Sequence, residues 1–383
     1  MKPLALLFSM SFLVLFDVRI LTPVLPSISD SLGSSPGAVG LAMTTYAFAY
    51  GIGQLICGPL SDRLGRVEVV RVVSIGFSVF TILSALTMTV WQFTGSRLLV
   101  GAFAGGVIPL TLVFIGDTVA YERRQVILGR FSIITSSAMA FSASIGGTVA
   151  HFVSWRFMLI AYGLLALIPI GLMWRIKTAP PKAQTEATPS FLAILRDRRA
   201  QFIYASVFLE GTLLWGGMTY LGSFANVRYG LDQLMVGLLI ALFGVGMMAG
   251  GILMGRIHRR LSENALALLG GVLMGVSYLT FTLQWPVVAF SIFLFIMGFG
   301  YVALHTTLQV RGTEINPAAR GKAFSLFSFM LFAGIATGSA LFAQLVDSGR
   351  YTTIFGIAGI GLIMIGLATT FTPPRGKEGS DPS

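Results

Sequence analysis

The chain has 383 residues, of which 55% are hydrophobic and 11% are charged. A water-soluble domain carries about 25% charged residues, so this composition excludes a protein whose whole surface faces water. The formal net charge is +11, but the basic residues are scattered over many short polar stretches, which excludes a continuous nucleic-acid-binding face.

The chain contains one cysteine, Cys57, so an intrachain disulfide is excluded. The sequence has no Cys-x-x-Cys or His-x-x-x-His pattern, and it predicts neither a metal site nor a cofactor. Catalytic side chains do not cluster near a predicted membrane face, so an enzyme is not predicted.

Runs of about 20 mostly apolar residues recur along the chain, and each is long enough to cross a bilayer as a helix. The first run continues past Asp17 and Arg19 without a cleavage motif, so we interpret it as a retained helix rather than a signal peptide. The sequence therefore predicts an all-α membrane protein with twelve transmembrane helices at residues 5–26, 38–58, 69–90, 94–116, 127–150, 157–175, 201–223, 235–255, 265–284, 286–307, 321–345 and 352–371.

The predicted connections alternate between basic and nearly uncharged ones. One set holds most of the arginines, whereas the opposite set holds only Arg156, Arg228 and Arg350. Because basic connections stay on the cytoplasmic side, this bias predicts a multi-pass protein of the bacterial inner membrane with both termini in the cytoplasm.

The longest connection contains Pro180-Pro181 and mixed charge, which is typical of a linker. We therefore predict an N-terminal six-helix half at 1–175, a cytoplasmic linker at 176–200, a C-terminal six-helix half at 201–371 and a cytoplasmic tail at 372–383.

The two halves repeat each other in sequence. Residues 58–66 align with residues 251–259, an offset of 193 (251 − 58), and the same offset takes Asp17 to Glu210. A further acidic and basic pair recurs with the same spacing of six, as Asp117 with Arg123 and as Glu314 with Arg320. Repeated halves with a site at their interface are a common plan of membrane transporters, so the sequence predicts pseudo-symmetry.

Three short motifs are similar to those of one transporter family. The stretch after the second run reads Gly58-Pro59-Leu60-Ser61-Asp62-Arg63-Leu64-Gly65-Arg66. The first run has Asp17 followed by Leu25-Pro26, and the fourth has Arg97 followed by Gly101, Gly105 and Gly106. Over almost its whole length the chain resembles the twelve-helix drug:proton antiporter branch of the major facilitator superfamily. The fifth run keeps the final glycines of the antiporter motif, Gly146 and Gly147, but lacks the Gly-Pro pair that precedes them in this branch.

The resemblance implies a conformational gate at the basic ends of the helices. Its ion pairs are expected to form in one transport state and to break in the other. The gating residues implied are Gly58, Asp62, Arg63, Gly65, Arg66, Arg71, Asp117 and Arg123. We also expect Gly58 and Gly65 to allow a tight turn close to neighbouring helices. The alternative is that these arginines only set the membrane orientation.

Two carboxylates lie within predicted spans, where a charge is costly and marks a functional site by default. We predict that Asp17 and Glu210 couple transport to protons, with Asp17 as the first candidate. Arg19 is a poor partner for Asp17, because residues two apart on a helix point to different sides. Arg97 is a better partner if the first and fourth spans adjoin, as they do in the family. The alternative for Asp17 is a fixed structural ion pair.

The predicted cavity and substrate-binding residues are Arg97, Arg19, Trp215, Tyr220 and His305. Glu210 can be a second proton site or the counter-ion of a cationic substrate, and a carboxylate with aromatic side chains suits a lipophilic cation. The aromatic side chains are also typical of packing or of anchoring at the membrane surface. His305 can take part in a proton relay or be a packed histidine. The two arginines and two carboxylates cancel, so the sequence does not choose between a cationic and an anionic substrate.

We predict a proton-coupled secondary active transporter that exports small amphipathic or drug-like molecules by alternating access. The alternative is proton-coupled transport of one polar metabolite, such as a sugar, an amino acid or a siderophore. The expected partners are the substrate, protons and the lipid bilayer, and we expect a monomer.

Overall fold

The computed structural model describes residues 2–176, 191–257, 259–315 and 320–371, and every regular element within these ranges is a helix. The predicted tail at 372–383 lies outside the described residues, and so does most of the linker predicted at 176–200. Those two boundaries stay predictions.

The first six predicted spans are formed by the helices from the N-terminus to residue 173. They are α1 (Lys2–Ile20), α2 (Leu25–Ser31), α3 (Pro36–Leu64), α4 (Arg66–Ala85), α5 (Val90–Ala104), α6 (Val107–Thr118), α7 (Tyr121–Phe152) and α8 (Trp155–Met173). The first span comprises α1, a 3₁₀ turn at Thr22–Val24 and α2. The fourth comprises α5 and α6.

The last six predicted spans follow the short helix α9 (Phe191–Leu195), which the sequence reading missed. They are formed by α10 (Arg198–Glu210), α11 (Gly216–Thr219), α12 (Leu221–Tyr229), α13 (Gln233–Ile257), α14 (Glu263–Phe281), α15 (Val287–Thr313), α16 (Arg320–Asp347) and α17 (Tyr351–Thr370).

Ten helices in the described ranges are long and apolar enough to cross a membrane, and a bent pair within α7 makes an eleventh. The seventh predicted span, 201–223, is the remaining one and corresponds to the broken series from α10 to α12, interrupted by a π-helical turn at Gly211–Trp215. A π turn inside a helix often marks a functional position. The predicted all-helical membrane fold is confirmed.

Two predicted boundaries are wrong for identifiable reasons. The first span was expected to run unbroken from 5 to 26, but it breaks next to Pro23, whose ring cannot continue the hydrogen bonding of a helix. The second was expected to end at Gly58, but α3 continues to Leu64, and Gly65 alone connects it to α4. Gly65 has φ +95°, a conformation that favours glycine.

The expected tight turn at Gly58 is therefore also wrong. Gly58 lies inside α3, and a side chain built there would meet no atom within 4 Å. We call the side of the membrane at Gly65 the basic side and the other the opposite side.

The two halves contact each other through equivalent helices. The second span, α3, packs against the eleventh, α16, and the fifth, α7, packs against the eighth, α13. The second span corresponds to the eighth in the repeat, and the fifth corresponds to the eleventh, so each of these two contacts maps onto the other. Pseudo-twofold symmetry requires this relation. In the middle of α3 the ring of Tyr50 stacks on Phe332 of α16 with 4.1 Å between centroids.

Polar contacts join the halves on the opposite side. The Asp347 carboxylate at the end of α16 accepts hydrogen bonds from the Ser35 hydroxyl and from the Gly37 backbone N–H, each at 2.8 Å. The Gln233 amide of α13 donates to the Ser27 hydroxyl of α2. This structure is therefore closed between the halves on the opposite side.

Gly146 and Gly147 allow close helix crossings at the same end of α7. A Cβ atom at Gly147 would overlap the Gln233 carbonyl of α13, and one at Gly146 would overlap Ile20 of α1. Small residues let membrane helices approach in this way. The glycines thus serve helix packing between α7 and its neighbours.

Replacing Gly147→Ala should destabilise the protein by about 1–3 kcal/mol, because the added methyl group forces α7 away from α13. Gly171→Ala is the matched control, since Gly171 lies in α8 with nothing within 4 Å of its added Cβ. The control should leave stability unchanged or raise it by up to about 1 kcal/mol. Thermal unfolding in detergent measures both, and equal midpoints for the two variants would contradict the close approach.

Candidate functional site

Asp17 of α1 and Arg97 of α5 form an ion pair that is fully buried on both sides. The Arg97 Nη2 atom lies 2.5 Å from Asp17 Oδ2, and Nη1 lies 3.3 Å from Oδ1. This is the two-bond geometry in which a guanidinium matches a carboxylate best. The predicted contact between the first and fourth spans is present, and the guanidinium also lies 4.7 Å from the ring centroid of Tyr46.

Glu210 at the end of α10 contacts His305 of α15. The Nδ1 atom of His305 lies 2.9 Å from Glu210 Oε2. The Glu210 side chain is fully buried, whereas that of His305 is 13% exposed. The second carboxylate oxygen, Oε1, has no hydrogen-bond partner among the described residues. It thus has free capacity to hold a proton.

These two pairs join corresponding spans of the two halves. Each joins a carboxylate on the first span of its half to a basic side chain on the fourth span of its half, although the basic partners stand at different positions of the repeat. The partner in the first half is an arginine, which stays charged, and the partner in the second half is a histidine, whose imidazole has a neutral and a charged form. The repeat in the sequence matched the carboxylates but not these basic partners.

Arg19 makes a contact between the halves. Its guanidinium lies over the ring of Trp215 in the π-helical turn, 3.6 Å from the ring centroid. Arg19 and Trp215 are 5% and 2% exposed. Among the described residues no carboxylate lies within ion-pair distance of Arg19, and its Nε atom has no hydrogen-bond partner.

Aromatic contacts link Arg19 to the Glu210–His305 pair. The ring of Trp215 packs edge-on against Tyr301 with 5.0 Å between centroids. Tyr301 in turn stacks on His305, one helical turn along α15, at 4.7 Å. A continuous set of side chains, which we call the central cluster, thus consists of Arg19, Trp215, Tyr301, His305 and Glu210.

On the basic side, Arg66 contacts two carboxylates of its own half. It pairs with Asp62 of α3, and its Nε atom lies 3.3 Å from Asp117 Oδ2 of α6. It also donates to the Ser61 hydroxyl at 2.5 Å. The structure thus joins three of the predicted gating residues through Arg66. In the second half, residues 316–319 and the side chain of Arg320, which the repeat aligns with Arg123, lie outside the described part of the chain.

The other predicted gating arginines lie elsewhere. Arg63 and Arg123 are exposed, and Arg71 pairs with Glu68 and donates to the carbonyl of Met173 at 2.6 Å. Arg71 therefore fixes the end of α8 against α4 and does not contact Asp117.

Tyr220 lies outside the central cluster, although the sequence placed it with the cavity residues. Its hydroxyl donates to the Ser339 carbonyl of α16 at 2.7 Å, and the side chain is 1% exposed. It packs against Gly40 of α3, where any added side chain would overlap the tyrosine ring. Tyr220 thus packs at a contact between the halves. Packing was the alternative role that the sequence left open for this aromatic residue.

Sequence reasoning missed Tyr301 and Asp347. A tyrosine four residues before His305 lies on the same helix face, so the spacing alone can identify Tyr301 as a neighbour of that histidine. Asp347 stands at the end of an apolar run and carries no such signal, because its partners are about 310 residues away in sequence.

Comparisons with known proteins find relatives that match almost the whole chain. An uncharacterized MFS-type transporter of Bacillus subtilis, YceJ, is 27% identical over 391 residues, which cover 99% of this chain and 97% of that protein. A probable sugar efflux transporter of Helicobacter pylori is 26% identical over 366 residues, which cover 94% of this chain and 92% of that protein.

The fold has a solved counterpart in the crystal structure of a D-xylose–proton symporter. It superposes with a TM-score of 0.80 at 17% identity, and the match covers 97% of this chain and 98% of the symporter. The family model of the Major Facilitator Superfamily matches residues 7–318. The chain belongs to the Major Facilitator Superfamily of membrane transporters.

Proposed function

We propose that this transporter is a proton-coupled secondary active transporter that exports small amphipathic molecules by alternating access. It works in the bacterial inner membrane as a monomer with both termini in the cytoplasm. The arginine-rich connections on the basic side support this orientation, because such connections remain cytoplasmic.

The buried contact between Glu210 and His305 carries the proposal of proton coupling. With a neutral imidazole the pair has one negative charge, and with one more proton it has none. A change of one charge in a low-dielectric interior alters the relative free energies of the two transport states. The free oxygen of Glu210 and the partial exposure of His305 support access of a proton to this pair.

The Asp17–Arg97 pair is a weaker candidate for the proton carrier. An arginine keeps its charge at all physiological pH values, and the Arg97 guanidinium already contacts both carboxylate oxygens of Asp17. We assign this pair the task of holding the first and fourth spans together. The prediction that Asp17 is the first proton carrier thus gives way to Glu210, and both are tested by the same experiment.

Alternating access requires the contacts on the opposite side to break when the transporter opens there. The hydrogen bonds from Ser35 and Gly37 to Asp347 are the proposed clasp of the closed state. The contacts of Arg66 with Asp62 and Asp117 join helices of one half, so we propose that they keep these helices moving as a unit.

Export is supported by the relatives named as probable sugar efflux transporters and by the aromatic surroundings of the central cluster.

The second candidate function is proton-coupled transport of one polar metabolite. The observation that favours it is Arg19, a buried cation without a carboxylate partner in the described part of the chain. We return to its ligand below.

Glu210→Gln should abolish proton movement driven by substrate, because the neutral amide cannot exchange a proton. Everted membrane vesicles can be energised and then challenged with ethidium, arabinose or phenylacetate while the proton gradient is followed by acridine orange fluorescence. Asp30→Asn is the control, since Asp30 is an exposed carboxylate of α2 on the opposite side. It should respond as the unmodified protein does.

Asp17→Asn belongs in the same experiment as the rival variant. If Glu210→Gln keeps the full fluorescence response while Asp17→Asn loses it, the proton carrier is Asp17 and our assignment is wrong. If both variants keep the response, neither carboxylate couples transport to protons.

Arg97→Gln should destabilise the protein by about 3–5 kcal/mol, because it leaves the Asp17 charge buried without a partner. The double variant with Asp17→Asn and Arg97→Gln removes both charges and should recover part of this loss. Arg66→Gln is the comparison for a partly exposed pair, which should cost about 0–1 kcal/mol. A thermal midpoint of Arg97→Gln equal to that of Arg66→Gln would contradict the structural task assigned to the pair.

A further inference from the structure

The buried charges of the described membrane interior do not balance by pairs. Asp17 and Arg97 cancel each other within hydrogen-bond distance, and Glu210 contacts His305. Arg19 lies against an aromatic ring, and no carboxylate of the described residues lies within ion-pair distance of it. Glu210 brings a negative charge to the same cluster, but its contact is with His305 and not with Arg19.

Keeping such a cation inside a membrane protein is costly. Insertion scales put an arginine at the centre of a spanning helix about 2.5–3.5 kcal/mol above an apolar residue. A guanidinium over the face of an indole recovers about 0.5–2 kcal/mol, which does not offset the whole cost. A buried ionisable residue with this imbalance marks a functional site by default.

The stacking of Arg19 on Trp215 also orients the guanidinium. A guanidinium has five N–H donors in its own plane, and contact with a ring face leaves the edge of that plane free. The Nε atom of Arg19 has no acceptor among the described residues, whereas the indole N–H of Trp215 interacts with the Tyr301 hydroxyl. The Nε group of Arg19 is a donor, so the group it lacks is a hydrogen-bond acceptor.

We infer that Arg19 and Trp215 form the binding site for a carboxylate group of the transported molecule. The carboxylate matches the guanidinium edge with two parallel hydrogen bonds and gives Arg19 an ion-pair partner. We place the apolar body of the molecule against the rings of Trp215, Tyr301 and Phe243, which pack edge-on or tilted against one another. This inference deepens the proposed function, on which it rests for the route of the molecule to the cluster, and it names a small aromatic or aliphatic organic acid as the substrate class.

The charge of Arg19 selects among the possible ligands. A carboxylate with one negative charge pairs with Arg19 one to one, whereas a phosphate monoester brings close to two negative charges into a cluster that also contains Glu210. A cationic ligand would place a second positive charge beside Arg19. The site therefore distinguishes acids from amines of the same size and shape.

Binding to the purified full-length protein in detergent tests this inference without a proton gradient. The probes are phenylacetate, phenylacetamide and phenethylammonium, which share a ring and a short chain but differ in the charge of the head group. Dissociation constants at pH 7 are measured by titration calorimetry for the unmodified protein, Arg19→Gln and Arg19→Lys. Arg350→Gln is the control, since Arg350 is an exposed arginine on the opposite side.

The unmodified protein and the control should bind phenylacetate at least roughly tenfold more tightly than phenylacetamide, as expected for hydrogen bonds to a charged group. Arg19→Gln should reduce this ratio to about one, because the amide keeps a donor but loses the charge. Arg19→Lys should lower the ratio severalfold, because an ammonium cannot donate in the planar two-bond geometry.

The inference is overturned if the unmodified protein binds none of the three probes or prefers phenethylammonium. It is also overturned if Arg19→Gln keeps the ratio. Where Arg19→Gln does not fold, an unchanged ratio in Arg19→Lys overturns it. Selective binding of phenylacetate together with transport that ignores Glu210→Gln would remove the proposed proton site and leave the carboxylate site standing.

Discussion

The cost of burying charge in a membrane interior governs the arrangement of this transporter. Each half carries a carboxylate on its first span, and each carboxylate meets a basic side chain from the fourth span of the same half. Neither member of such a pair is stable at that depth without the other. The contacts therefore fix the packing of the first span on the fourth in both halves. The candidate site lies between these two packed pairs of spans.

The difference between the two pairs gives the molecule its proposed chemistry. Arg97 holds Asp17 with two hydrogen bonds in a fully buried setting, which is a stable structural contact. His305 contacts Glu210 at one pair of atoms, and an imidazole, unlike a guanidinium, has both a neutral and a charged form. Pseudo-symmetry thus brings a carboxylate and a basic side chain together on the same two spans of each half, and we propose that the half with the histidine carries the proton. Arg19 reaches across from the first half and contacts Trp215 beside that site.

Much of the fold and part of the site could be predicted from the sequence. The apolar runs and the alternating basic connections indicate the spans, because a bilayer imposes both. The 193-residue repeat identifies Asp17 and Glu210 as equivalent (210 − 17), and the family resemblance indicates Arg97 as a partner of Asp17. The contact of Arg19 with Trp215 could not be predicted, since it joins the two halves through the π-helical turn. Gly65, and not Gly58, forms the turn before α4, because α3 continues through Pro59 to Leu64 and Gly65 has the positive φ that the turn requires.

The most direct test of the account is the effect of Glu210→Gln on the NMR signals of His305. The chain has three histidines, so protein labelled with ¹⁵N in its imidazole rings gives few signals, and His305→Gln assigns the one that matters. We predict that Glu210→Gln shifts the ring nitrogen signals of His305 and that Asp30→Asn leaves them unchanged, because His305 Nδ1 lies 2.9 Å from Glu210 Oε2 whereas Asp30 is exposed on the opposite side. A His305 signal that is insensitive to Glu210→Gln would contradict the contact on which the assignment of this pair as the proton site rests.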